Sequence, residues 1–445
     1  MKKIVFVKAL WLSTALSTFL FGCSGTEALF RDINADIAKG NYRQAADLIR
    51  KNQDAYGDKN LVLYNLDMGT LFHYLGEADS SNKYLLHAET EIENLYTKSI
   101  SQQVISFLLN DNVLPYDGED FERVMVNVFL ALNFAEQGKI DDALVEARKV
   151  DLKLREYARQ YDDKNTYKED AFIRYVTGAL YESGGEINDA FIAYRNAFET
   201  YKTYEANYAT AAPDFVLDDV VRTATLMGFD EEATEFMKLG GKPYDKSLRK
   251  EEGSILVITY VGRAPTKAEV RPTVSIADTA GIIHTFQIAL PKFVARYAGS
   301  RVYHVEALGA ADTLTTRCEV AQDITAIAGK ALDERLTNIY LKSGGRAILK
   351  FLAAEKAKSE LKKNESTIAN VLGSIAIDLF VGATEQADTR SWQTLPAQIH
   401  LARLNVKPGK YSLRVAASDG QFSLRDVEVE VRPGRTSFVI VDDVR

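Results

Sequence analysis

Cysteine is nearly absent from this chain. Its 445 residues include two, Cys23 and Cys318, too few for the disulfide framework that staples small secreted domains. Basic runs are missing as well: the formal charge is -8 and no Lys/Arg-rich stripe interrupts it, which excludes nucleic acid as an expected partner. The five histidines, His73, His87, His284, His304 and His400, never fall at the spacing of a metal-binding helix, so no metal or other cofactor is expected. His284 and His304 are the one pair that neighbouring strands could bring together. Neither a Gly-x-Ser-x-Gly elbow nor a phosphate-binding Gly-x-x-x-x-Gly-Lys loop occurs, and a non-enzymatic role is expected. Uninterrupted apolar stretches are short. The one near the start, Ala9 to Phe21, falls below the roughly 20 residues of a spanning helix and is broken by Ser13, Thr14, Ser17 and Thr18.

That stretch follows Lys2 and Lys3 and ends at Gly22, one residue before Cys23. Charged, apolar and small-residue regions in this order make an export signal. Leu20-Phe21-Gly22-Cys23 resembles the lipobox of bacterial lipoproteins, although Phe21 is bulkier than is usual there. The resemblance implies cleavage after Gly22 and acylation of Cys23, and several acyl chains hold a protein to a bilayer without any spanning helix. Ser24, where inner-membrane lipoproteins usually carry Asp, favours the periplasmic face of the outer membrane, with the inner membrane or the cell surface as alternatives. Cys318 is then the only thiol left, and is read as a small buried hydrophobe rather than a nucleophile.

Residues 23–250 carry a recurring phrase: a Gly, polar positions, and a small residue five places on that opens an apolar helix. It appears at Gly40 with Ala45, Gly76 with Ser81, Gly138 with Ala143, Gly185 with Ala190, and Gly228 with Ala233. Gly178 and Tyr181 precede Gly185 as Ala131 and Phe134 precede Gly138. This pattern resembles the tetratricopeptide repeat, a helix pair of about 34 residues whose small positions permit close crossing. It implies an α-solenoid with a concave face for peptides or partner proteins, a groove-free helical bundle being the alternative. The marker glycines are unevenly spaced, and the long gap after Gly76 leaves room for a degenerate unit around Ile92 to Asn112.

After Gly253 the pattern changes. Ser254 to Tyr260 is a β-branched run, Thr273 to Ala277, His284 to Leu290 and Val302 to Ala307 read as strands, and Gly262 to Lys267 reads as a loop between them. Helical character returns from about 319 to 384, including an almost wholly apolar helix at Ile368 to Ala383. Four strands with Lys407-Pro408-Gly409, Asp419-Gly420 and Pro433-Gly434 turns close the chain as a meander. The expected fold is therefore α+β and multidomain: a signal peptide at 1–22, a tetratricopeptide-like α-solenoid at 23–250, and a β-sandwich-like domain at 254–445 with a helical insertion at about 319–384.

Four phrases spread along the chain, Tyr116-Asp117-Gly118-Glu119-Asp120-Phe121-Glu122-Arg123, Ala143 to Lys149, Gly262 to Lys267 and Ala387-Asp388-Thr389-Arg390-Ser391-Trp392, together resemble a family of bacterial lipoproteins that join tetratricopeptide-like helices to a β-rich part. The resemblance implies architecture and location, not a reaction. Within these phrases Glu119, Glu122 and Arg123 share one helical turn, and Glu146 with Arg148 or Lys149 is expected to face them from the next helix. Such an ionic cluster either pins the helices to an insert or lines a groove for a charged segment. Lys267, Asp388, Arg390 and Trp392 are further candidates, since Arg with Trp is common at binding anchors, though a lone Trp is more often core. The expected function is a membrane-anchored, protein-binding or assembly module in envelope assembly or secretion. A wall or glycan hydrolase using carboxylates of the C-terminal part, and a structural subunit of an export complex, are the alternatives.

Overall fold

A computed structural model describes residues 29–101, 114–161, 165–277, 283–296, 301–309, 313–341, 343, 386–418 and 423–444. Cys23 and the apolar stretch Ile368 to Ala383 lie outside the described residues.

The helical part follows from the Gly phrase. A helix at 29–38 leads into α1 (Tyr42–Lys51), followed by the single turn α2 (Gln53–Tyr56) and then by hairpins α3 (Leu61–Tyr74) with α4 (Ala78–Ser101), α5 (Asp120–Glu136) with α6 (Ile140–Gln160), α7 (Ala171–Gly184) with α8 (Ile187–Tyr208), and α9 (Asp214–Met227) with α10 (Asp230–Lys238). Each marker glycine sits in the turn between two paired helices with a left-handed backbone, φ lying between 70° at Gly76 and 89° at Gly185, where a side chain would strain the chain. The small residue five places on is buried in every pair, as Ala45, Ser81, Ala143, Ala190 and Ala233. Gly178 shows why the first helix also needs a small position: a Cβ there would stand 2.5 Å from the Tyr194 ring of α8. Of the degenerate unit expected around Ile92 to Asn112, residues 102–112 lie outside the described residues. α4 runs through Ile92 without a break as far as Ser101.

The β part forms two four-stranded sheets. The inner sheet has the order β12 (Thr436–Asp443), β1 (Gly253–Arg263), β9 (Pro396–Val406), β8 (Glu319–Asp323), with β1 parallel to β12 and antiparallel to β9. The outer sheet has the order β11 (Ser423–Val431), β10 (Gly409–Ala417), β6 (Tyr303–Leu308), β7 (Thr313–Arg317). Between β1 and β6 the chain makes two small ribbons, β2 (Thr266–Val270) with β5 (Leu290–Val294) and β3 (Thr273–Ala277) with β4 (Ile283–Gln287).

Several expectations change here. Glu319–Asp323 is a strand rather than the start of a helical insertion; helix begins at 324 and continues to 341. The supposed loop Gly262 to Lys267 is mostly strand, since β1 ends at Arg263 and β2 begins at Thr266. Of the closing strands, β10 and β11 are hydrogen-bonded neighbours, with the expected Asp419-Gly420 turn between them outside the described residues, whereas the turns at Pro408 and Pro433 carry the chain from one sheet to the other. Pro-Gly punctuation marks a reversal but not whether the next strand bonds to the last or crosses to the facing sheet. His284 and His304 also stay apart, on β4 and β6, which belong to different sheets.

The layering explains the unbroken apolar run of β1. Its Ile255, Val257 and Val261 face the outer sheet, packing with Tyr303, Val305, Leu413 and Val415, while Leu256, Ile258 and Tyr260 join the helical core. A strand buried on both faces has no polar side to alternate with. The inner sheet is thus the middle of three layers, helices, sheet and sheet. The first helices of the pairs press on it: α5 and α7 contact β12, and α7 reaches β8. α3 and α5 are buried almost all round for this reason, whereas the second helices α4, α6 and α8 turn a polar side outward. The inner face of the stack, expected as an open groove, is covered by the chain's own inner sheet. Among the described residues no helix is long and apolar enough to cross a membrane.

Candidate functional site

The candidate residues divide between two ionic clusters. Glu119, just before α5, meets Lys267 of β2 and Arg335 of the 324–341 helix. Burial works to raise its carboxyl, but Arg335 and Lys267 outweigh that and hold it down at about 2. One turn on, Glu122 accepts from the Glu119 N–H (3.0 Å), the Tyr116 hydroxyl and the Trp392 N–H (2.7 Å), and burial pushes its carboxyl up. Arg123 donates to the Asp117 carbonyl and carboxylate at 2.8 and 2.5 Å. The loop 386–394 closes over this turn. Arg390 pairs with Asp388 at 2.7 Å, lies 5.2 Å above the Tyr116 ring and donates to the Leu114 carbonyl. Trp392 is core: 1% exposed, it packs on Phe129 and donates through Nε1 to Thr70 and Thr394. Helix, ribbon, 324–341 helix and loop are therefore bound to one another by charges that are mostly satisfied within the chain.

Glu146, Arg148 and Lys149 do not join that cluster. Two antiparallel helices match residues at similar distances from their turn, so Glu146 meets Asn127 (2.6 Å), one turn beyond Arg123, while Arg123 lies over the Tyr157 ring further along α6. Glu146 and Lys149 form a second cluster with Glu89 and Lys153, linking α4 to α6. Arg148 points away and donates to the Tyr181 hydroxyl at 3.1 Å.

A third buried network carries no signal in sequence because its members are up to 221 residues apart. Arg403 of β9 donates to Glu182 (2.7 Å), Tyr194 (2.9 Å) and Ser254 (3.0 Å) and pairs with Asp219 at 3.2 Å. Arg222 meets the same two carboxylates. Burial favours the neutral form of Glu182, yet Arg222 and Arg403 keep its carboxyl down at about 2. His73 of α3 is held between Asn133 (2.5 Å) and the Tyr260 hydroxyl of β1 (2.9 Å), and burial lowers it to about 4. Cys318 is buried near Thr259, and burial pushes its thiol up to about 12, far from a nucleophile's range.

What these networks leave open is on the outer side. Between the C-terminal ends of α6 and α8, closed by residues 166–169, lies a cleft of about 370 Å³. Arg155 and Lys168 stand on its wall, with Thr200, Thr203 and the Tyr204 ring opposite. The Glu169 carboxylate on the same wall is held by Arg174 at 3.0 Å, and Arg174 also donates to Thr200. Arg155 donates to the Asp151 carbonyl, a neutral partner. A cationic rim over hydroxyls and an aromatic floor is suited to a carboxylate-bearing or hydroxylated group. No sequence signal marks the cleft, because its lining is assembled from α6, α8 and the 166–169 segment, none of which carries a motif of its own.

No protein-family model matches the chain, and no protein of described function matches it in sequence. Among solved structures, MamA from AMB-1 is 17% identical over 48% of this chain and 88% of its own, with a TM-score of 0.31. The Rap conjugation gene regulator of plasmid pLS20, solved in complex with the Phr* peptide, is 14% identical over 47% of this chain and 50% of its own, with a TM-score of 0.29. A Podospora anserina putative kinesin light chain with nearly identical TPR-like repeats is 12% identical over 48% and 91%, also with a TM-score of 0.29.

Proposed function

We propose that this chain is a lipoprotein held through Cys23 at the periplasmic face of the outer membrane, where it serves as a protein-binding module in envelope assembly or secretion. The outer cleft is the observation that carries the binding role. The inner face of the stack is used up by the protein's own sheet, so a client must be met from outside, and the cleft between α6 and α8 has the volume for one or two side chains of a protein segment. Its Arg155 and Lys168 select an acidic client, while the exposed Thr203 hydroxyl supplies a hydrogen bond. Confinement to a membrane surface raises the effective concentration of such a modest site.

A photo-crosslinking residue in place of Thr203, introduced into the full chain in its own cells, is expected to give one discrete protein adduct, and Arg155→Glu should lower its yield roughly tenfold through like-charge repulsion. An adduct indifferent to Arg155→Glu, or none at all, sinks the binding role. Release of soluble fragments from peptidoglycan by the purified chain would replace it with the hydrolase reading.

A further inference from the structure

The β2–β5 ribbon has two unlike faces. One is turned inward, where Lys267 reaches Glu119 and Glu269 accepts from the Ala387 N–H at 2.7 Å. The other is set by the register Thr266 with Val294, Ala268 with Lys292 and Val270 with Leu290. This outward face contains no carboxylate; Leu290 on it is covered by Ile288 and Ile339, but Val270 (39%) and Val294 (47%) are exposed, and Lys292 between them has no carboxylate partner among the described residues. Beyond it the chain continues as the β3–β4 ribbon, whose strands pair only with each other among the described residues and whose Ile283 is 70% exposed. Exposed branched apolar residues beside a lysine, without acids, are costly in water and suited to a phospholipid headgroup boundary.

The position of the N-terminus says which surface covers this face. Asn34, in the helix at 29–38, accepts from Arg263 (2.8 Å) at the end of β1 and from Arg296 (3.3 Å) just after β5; Arg296 also donates to Ala264 and Gln393 carbonyls. The leading helix is thereby fastened at the root of the ribbon. Ser24 to Ala28 are the only residues between that helix and Cys23, and five residues reach at most roughly 17 Å. A bilayer gripping Cys23 therefore lies close to the end of the molecule from which the ribbons emerge.

We infer that the outward face of the β2–β5 ribbon, with Ile283 of the adjoining ribbon, rests on the bilayer that holds Cys23. The inference depends on the lipid anchor in the proposed function, and it makes the ribbon a second, orienting contact that turns the outer cleft in a fixed direction relative to the membrane.

The test uses the acylated chain, purified from membranes and returned to vesicles with or without brominated phospholipid. Trp392, the chain's own tryptophan after the signal, is buried and gives a constant background. Val294→Trp and, as a second reporter, Ile283→Trp should each lose at least about half of their added emission to the brominated lipid, as expected of groups at the headgroup–acyl boundary. Leu239→Trp, exposed at the far end of the helical stack, should lose none. No quenching at 294 and 283, or equal quenching at 239, overturns the inference. Intact mass of the same sample reports the anchor separately: a chain without acyl groups overturns the lipoprotein reading, and coupling its Cys23 thiol to a maleimide lipid then puts the ribbon to the same quenching criteria.

Discussion

At the scale of single residues, the buried charges decide more than any apolar side chain. Arg403 sits 2% exposed among Glu182, Asp219, Tyr175 and Tyr194, with Arg222 completing a balanced set of two cations and two carboxylates. Removing one member leaves a carboxylate buried without its counterion, so Arg403→Ala should lower stability by about 3–5 kcal/mol, read as a fall in the urea midpoint. An unchanged midpoint would mean that water replaces the guanidinium at no cost. His73 gives a pH dependence of known sign. Its folded value of about 4 lies below the ordinary 6.5, so the unfolded chain takes up a proton first and stability falls as pH drops from about 6.5 toward 4. His73→Gln should flatten denaturation midpoints across that window, a slope worth on the order of 3 kcal/mol at most. Glu119 and Glu182, each held at about 2, act in a lower window: their contribution is intact above about 4.5 and is lost as pH falls toward 2.

At the scale of elements, how much could be read beforehand follows from how local each signal is. The Gly phrase located the helix turns because a left-handed turn and a close helix crossing are local demands, visible at Gly185 with Ala190 and at Gly178 against Tyr194. The alternation of β10 and β6 was legible for the same reason, with one face inward and one out. β7 was not, because Thr313–Arg317 is a mostly exposed edge strand without an apolar face, and β8 was missed because a helix follows it directly at 324. The Glu119, Glu122 and Arg123 turn was visible as a charge cluster, but its partners Lys267 and Arg335 come from 148 and 216 residues away. Nor does any sequence pattern state that an inner sheet would occupy the concave side of the stack. That depends on matching two amphipathic surfaces, each of which looks like an ordinary core face.

At the scale of the whole molecule, one continuous apolar core runs from Ile33 through the first helices into Leu256, Trp392 and Ile440. Helices and sheets should therefore unfold together. Thermal melts followed by helical circular dichroism and by Trp392 fluorescence are expected to coincide in a single cooperative transition. Two separated transitions would show that the helical stack and the sandwich are independent bodies, and would reopen the inner face as a surface for partners.

The parallel pairing of β1 with β12 has a consequence for biogenesis. β1 follows directly on the helices, but one of its two neighbours is β12, Thr436–Asp443, far along the chain. In synthesis from the N-terminus, the inner sides of α3, α5 and α7 are made long before β12 completes their cover. A nascent molecule is thus sticky until β12 has been made, so deletion of Thr436–Asp443 is expected to be more damaging than its share of the length suggests.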